Sequence, residues 1–210
     1  MKKTQILIET IIITAVALLG MLLIPPAKTV FALLPVAYLL IERRLRRRTW
    51  SELGFKIRTF WEDLRANWIL FILLGFIIQP VIALGAKAYF PAYLEHVQAR
   101  LPFETGIPWA ILIPILAFSL IGEEMTYRTL IQGRFAQFIG APAAVGVASL
   151  LFGLAHYAPG AGWVVFIDVG LIVVDSILYG VMFARRNNLW VVWLAHLLGD
   201  IFGLVVIGSI

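Results

Sequence analysis

IPWAILIPILAFSLIGEEMTYRTL, residues 107–130, reads as a membrane-spanning helix with Glu123, Glu124 and Arg128 set among its apolar residues. A charge near the bilayer centre costs roughly 2.5–3.5 kcal/mol on insertion scales, so three within one stretch require partners or a function. The rest of the chain agrees with a membrane setting. It has 210 residues, is 61% hydrophobic and only 14% charged, and its apolar runs return at about the 20-residue length that a bilayer core demands. Helices apolar on every side need lipid or a large core, which excludes a soluble domain.

Outward from that stretch the spans can be placed in order. Ile6 to Ile24 is the first, closed by Pro25 and Pro26; Thr29 to Ile41 is a shorter second, and Trp68 to Phe90 the third. Pro91 to Gly106, with His96 and Arg100, reads as a loop, and the fourth span begins near Pro108. The fifth runs from Pro142 to about His156, the sixth from Trp163 to Ala184, and the seventh from Asn188 to Ile210. Lys2 and Lys3 before the first run resemble a secretory signal. The run is too long for a signal core, and Pro25-Pro26-Ala27-Lys28 is a poor cleavage site, so a retained helix is expected.

The fold class expected is all-α: a polytopic membrane helix bundle of about seven transmembrane helices. Between the second and third spans, Glu42 to Asn67 mixes Arg and Lys with Trp50, Leu53, Phe55, Phe60 and Trp61, the composition of an interfacial amphipathic segment or of a solvated linker. Residues 1–106 supply the N-terminal helices and this basic linker, and residues 107–210 the core that carries the chemistry. Together they form one integral membrane domain.

The formal charge of +5 is concentrated at Arg43, Arg44, Arg46, Arg47 and Arg48, just beyond a span. That placement is a topology signal and an anionic-lipid contact, and nucleic acid is not expected as a partner. With this cluster in the cytoplasm, the N-terminus and the Arg185-Arg186 turn are cytoplasmic too, and Pro91 to Gly106 is external. There is no cysteine, so a metal site would have to use His, Asp or Glu.

Glu124 and Arg128 are four apart with the acid first, the favourable order for an ion pair on one helix face. Glu123 points about 100° away from Glu124 and is left for a cavity. From the carboxylates to the break at Gly140 is about 15 residues, and from there to His156 about 15 again, so an antiparallel hairpin would bring them level. His196 and Asp200 share a face of the seventh span. Gly199 and Gly203 offer a small-xxx-small surface for docking it on the fourth. Asp168 and Asp175, in the sixth span, either pair with Arg128 or line a wet cavity. All these groups could equally form a buried packing network, although ionisable residues within a membrane point first to function.

Glu-Glu-x-x-x-Arg at 123–128, Phe-x-x-x-His at 152–156 and His-x-x-x-Asp at 196–200, in this order, resemble the three motifs of the CAAX-protease and bacteriocin-processing (CPBP, or Abi) family of intramembrane endopeptidases, related to type II CAAX prenyl proteases. The resemblance covers about Pro108 to Gly203. It implies that Glu123 activates water with help from His156, that His196 and Asp200 hold the developing oxyanion, and that Glu124 and Arg128 support the site. Asp200 stands where many relatives have asparagine; as an acceptor it would orient His196, and only protonated could it donate.

The substrate implied is a membrane-associated or lipidated peptide or protein. Glu123, His156 and His196 could also serve as the three protein ligands of an open zinc site, although the same residues suffice without metal. Metal-free catalysis is the expectation. Two other classes remain on these residues: a non-catalytic immunity or regulatory partner that keeps the motifs as a polar network, and a small transporter working through Glu123, His156 and Asp175. The oligomeric state is not legible.

Overall fold

The computed structural model describes residues 3–101 and 107–209. Every regular element within them is helical. Six helices are long and apolar enough to cross a membrane: α1 (Lys3–Leu23), α2 (Lys28–Leu45), α4 (Trp68–Tyr89), α6 (Trp109–Ile139), α8 (Gly162–Arg186) and α9 (Leu189–Ser209). The expected fifth span is α7 (Ala141–Ala155), whose 15 residues reach only about 22 Å, short of a bilayer core. Two short helices complete the set, α3 (Phe60–Ala66) and α5 (Pro91–Gln98).

Burial is inverted relative to a water-soluble protein. Glu42, Asp63, Glu124, Arg128, Arg134 and Asp168 are buried, while Leu23, Phe118 and Phe166 stand out on the surface. Lipid imposes this pattern, because it solvates apolar side chains and leaves polar ones to find partners inside.

The helices pack as α1 against α2, α4 against α9, and α7 against both α8 and the second half of α6. Gly140, at φ +79°, makes the turn that sends α7 back along α6. Gly153 lets α7 approach α8, since a Cβ there would meet Val173 at 2.4 Å. The face of α9 that carries Gly199 and Gly203 docks on α4 rather than on α6: a Cβ on Gly199 would stand 2.6 Å from the Leu74 carbonyl oxygen, and one on Gly203 would stand 3.0 Å from Gln79 Cβ. The small-residue stripe thus selects a close neighbour, but its spacing does not say which.

Two segments between spans are more ordered than a linker or loop. Pro91 opens α5, a first-turn position that suits proline, so part of the expected 91–106 loop is helix; its residues 102–106, and the expected boundary at 106, lie outside the described residues. The basic segment after α2 folds into 3-10 turns at Ser51–Leu53 and Ile57–Thr59 and then α3. Its turns close over the bundle end: Leu53 is fully buried, Leu189 N donates to Gly54 O (2.7 Å), and Thr129 Oγ1 donates to Leu53 O (2.7 Å). Ile57 and Trp61 remain exposed on its outer side, as an interfacial element requires.

Candidate active site

Glu123 and Glu124 lie at the end of the regular α-helical part of α6, immediately before a π-helical stretch at Met125–Gln132 whose eight residues are all buried. Wide turns of this kind recur at functional sites because they re-aim side chains relative to a regular helix. The two carboxylates diverge, as adjacent helical residues must. Glu124 turns into the bundle and Glu123 faces a cavity.

Glu124 is the hub of the buried side. Its Oε2 accepts from Arg128 Nε (3.1 Å), and its Oε1 lies 2.8 Å from His196 Nδ1. Arg128 is fully buried and donates a second bond from Nη2 to Ser176 Oγ (3.0 Å). The other face of this assembly is aromatic. Tyr179 stacks on His196 with ring centroids 4.6 Å apart, and Phe152 lies edge-on to it at 6.1 Å. His196 Nε2 is 3.8 Å from Asp200 Oδ1, so carboxylates flank both ring nitrogens. A doubly protonated imidazole there can donate from Nδ1 to Glu124 and from Nε2 to whatever acceptor stands beside Asp200.

On the open side, Glu123 Oε2 is 3.9 Å from His156 Nε2. His156 Nδ1 is 2.8 Å from the Phe152 carbonyl oxygen, and the two rings lie 4.4 Å apart. A carbonyl oxygen only accepts, so Nδ1 carries the proton and a neutral His156 presents a lone pair at Nε2. Two acceptors facing each other at 3.9 Å cannot bond directly, but one water can donate a hydrogen to each. Phe152 touches both histidines, which gives the Phe-x-x-x-His pattern its physical sense: the carbonyl sets the tautomer of one and the ring packs near the other.

Glu123 and His156 line a cavity of about 470 Å³ bounded by α1, α2, α6 and α7, with Leu18, Leu33, Phe118 and Tyr127 among its walls. His196 and Asp200 are not among its lining residues. Among the described residues, no three His, Asp or Glu side chains are grouped to hold a metal ion, and Glu123, His156 and His196 do not close to a ligand set.

The acidic residues of α8 do not join Arg128. Asp168 Oδ1 accepts from Arg100 Nη2 (2.7 Å), and Asp168 Oδ2 is 3.6 Å from His96 Nε2; Asp175 Oδ2 accepts from Gln79 Nε2 (3.0 Å). Ser176, one position beyond Asp175, is what faces the guanidinium, and a lone serine in an apolar span gave little signal of it. Tyr179, which stacks on His196, belongs to none of the three motifs. Arg100 also donates from Nη1 to His156 O (3.3 Å), tying the segment after α5 to the cavity histidine.

Residues 104–202 match the family described as Type II CAAX prenyl endopeptidase Rce1-like. Over this segment the chain is similar to that family. The matched residues hold all three motifs and the hairpin that brings Glu123 beside His156. Among curated proteins and among solved structures, nothing matches the chain. The family so described is one of endopeptidases, and with six helices of spanning length and apolar composition among the described residues the chain is an integral membrane protein.

Proposed function

We propose that the protein is an intramembrane endopeptidase that hydrolyses a peptide bond of a membrane-associated or lipidated substrate, using Glu123 as general base. The observation that carries this reading is the facing pair of acceptors, Glu123 Oε2 and the His156 Nε2 lone pair, 3.9 Å apart on the wall of an apolar cavity. A water donating to both is held with its oxygen lone pairs free to attack.

In the reaction, Glu123 takes one proton from that water while its oxygen bonds to the scissile carbonyl carbon. The oxyanion formed accepts from His196 Nε2–H, held in place by Glu124 at Nδ1 and by stacking on Tyr179. Collapse breaks the carbon–nitrogen bond, and the Glu123 carboxyl returns its proton to the leaving nitrogen. Asp200 orients His196, and Arg128 fixes Glu124. No step calls for a metal ion.

The test compares peptide termini in membranes of cells carrying the wild-type chain with those carrying Glu123→Gln at matched expression. New termini that depend on Glu123 are expected and identify the substrate. Cleavage that persists in Glu123→Gln overturns the assignment.

A further inference from the structure

A second cavity, of about 310 Å³, opens at the basic end of the bundle, where Arg48, Glu52, Gln132, Arg134, Gln137 and Asn187 supply a polar wall. The structure sorts the arginines of this end. Arg43 lies over the Trp50 ring at 3.9 Å, Arg44 and Arg47 are exposed, and Arg46 pairs with Glu9 and Glu42. Arg134, from the second half of α6, is buried; it donates from Nη1 to Thr10 Oγ1 and to Tyr38 Oη (3.1 Å each), and its Nη2 stands 2.9 Å from Glu42 Oε2. Arg48 is held less tightly. Its Nη1 is 3.4 Å from the same Glu42 oxygen and its Nη2 donates to Glu52 O at 3.3 Å, both longer than the roughly 2.7–2.9 Å of a strong charge-assisted bond. One buried carboxylate thus faces three guanidiniums, and an arginine cannot shed its proton to relieve the excess.

The wall also carries the opposite sign. Glu52 Oε2 accepts from Thr49 N (2.5 Å) and from Thr49 Oγ1 (2.8 Å), which fixes that carboxylate on the same wall as Arg48. Ala141, the first residue of α7, lines the space too and brings the positive end of that helix to it. A phosphate suits a guanidinium fork beside a helix start, and an ammonium suits the Glu52 carboxylate. The wall is built from the ends of α2, α6 and α8, the level at which lipid head groups lie. We infer that this cavity binds a phosphoethanolamine group, its phosphate on Arg48 and its ammonium on Glu52. Such a site is selective, unlike the diffuse anionic-lipid contact that five clustered arginines imply. Arg48 and Glu52 precede the segment that matches the family, and the site does not depend on the peptidase reading, so Glu123→Gln should bind the ligand as the wild type does.

The test titrates the purified full chain with short-chain phosphatidylethanolamine, with phosphatidylcholine of the same chains and with glycerophosphoethanolamine, reading Kd by native mass spectrometry. Choline keeps the phosphate and the positive charge but has no N–H to donate. The wild type is expected to bind the ethanolamine lipid about five- to tenfold more tightly than the choline lipid, the worth of one charge-assisted hydrogen bond. Glu52→Gln should bring that ratio near one and leave the choline lipid bound as in wild type, and because the ratio is internal to each preparation a loss of folded protein does not move it. Arg48→Gln should weaken both lipids about tenfold at unchanged Tm, since Arg46 and Arg134 still hold Glu42. Glycerophosphoethanolamine that binds as tightly as the lipid supports the site with a soluble ester as its ligand, and binding about tenfold weaker supports it with a membrane lipid. Equal wild-type affinities for the two lipids, a preference that survives Glu52→Gln, or lipid binding unchanged in Arg48→Gln overturns the proposal.

Discussion

Glu123 and Glu124 are neighbours in sequence yet answer to different physics. Glu124 sits between a buried guanidinium and a buried imidazole, so removing either charge of the Glu124–Arg128 pair strands the other away from water. Glu124→Ala or Arg128→Leu should each cost about 3–5 kcal/mol of stability, seen as a large fall in Tm in detergent. Glu123→Gln, which alters a half-exposed side chain on the cavity wall, should leave Tm near wild type while abolishing turnover. Equal Tm losses for all three variants would mean that Glu123 also belongs to the packing network and not to the cavity. The contrast between these adjacent positions separates a catalytic role from a structural one more cleanly than activity alone.

At the level of elements, the π-helical stretch of α6 sets the register between the carboxylates and the rest of the helix. In its second half, Thr129 and Gln132 donate to Leu53 O and to Gly180 O (2.8 Å), contacts that anchor α6 against its neighbours. Deleting Leu130 or Ile131 would favour regular α-helix and rotate Glu123 by about 100° relative to the Gln132 anchor. Hydrolysis should be lost although every motif residue is retained; an active deletion variant would argue against a role for the wide turns. The α4–α9 contact makes a second prediction. Gly199→Ala puts a methyl group against the Leu74 carbonyl and should destabilise by about 1–3 kcal/mol, measurable as a Tm shift.

On α5, burial and the nearby Asp168 charge push the Tyr93 phenol up to about 12 from its ordinary 10. A raised folded-state value contributes stability that is complete below pH 10 and is lost as pH rises towards 12. Tm should therefore fall less steeply in Tyr93→Phe than in wild type across that window.

For the whole molecule, the basic clusters converge on one end. Arg46 pairs with Glu9 and Glu42, Lys56 Nζ donates to Arg186 O (3.2 Å), and Gly54 meets Leu189, so the start of α1, the end of α2 and the α8–α9 turn lie together. If positive charge stays in the cytoplasm, this end faces inward and Lys28 faces out. The chain has no cysteine, so single-cysteine variants can be labelled without background. Arg47→Cys should react with an impermeant thiol reagent only after the membrane is opened, and Thr29→Cys without opening; the reverse pattern would invert the orientation. The opposite end is held by Arg100, which bridges Asp168 and the His156 carbonyl. Arg100→Ala should lower both Tm and kcat, and adding Asp168→Asn should recover Tm but not kcat, because only the stranded charge is relieved.

The all-helical membrane architecture was legible in sequence because a bilayer imposes its thickness on every spanning run and taxes every buried charge. The i to i+4 pairs were legible because helix geometry alone brings Glu124 to Arg128, and the matched distances to the Gly140 turn were enough to put Glu123 level with His156. Other features depend on which helices meet and at what rotation, and spacing within one helix does not encode that. Only the tertiary structure joined Glu124 to His196, turned Ser176 rather than Asp175 towards Arg128, laid α9 on α4, and sent Arg100 to Asp168. Each of these is a contact between distant segments, chosen by the fit of side chains across a helix interface and by the need of every buried polar group for a partner.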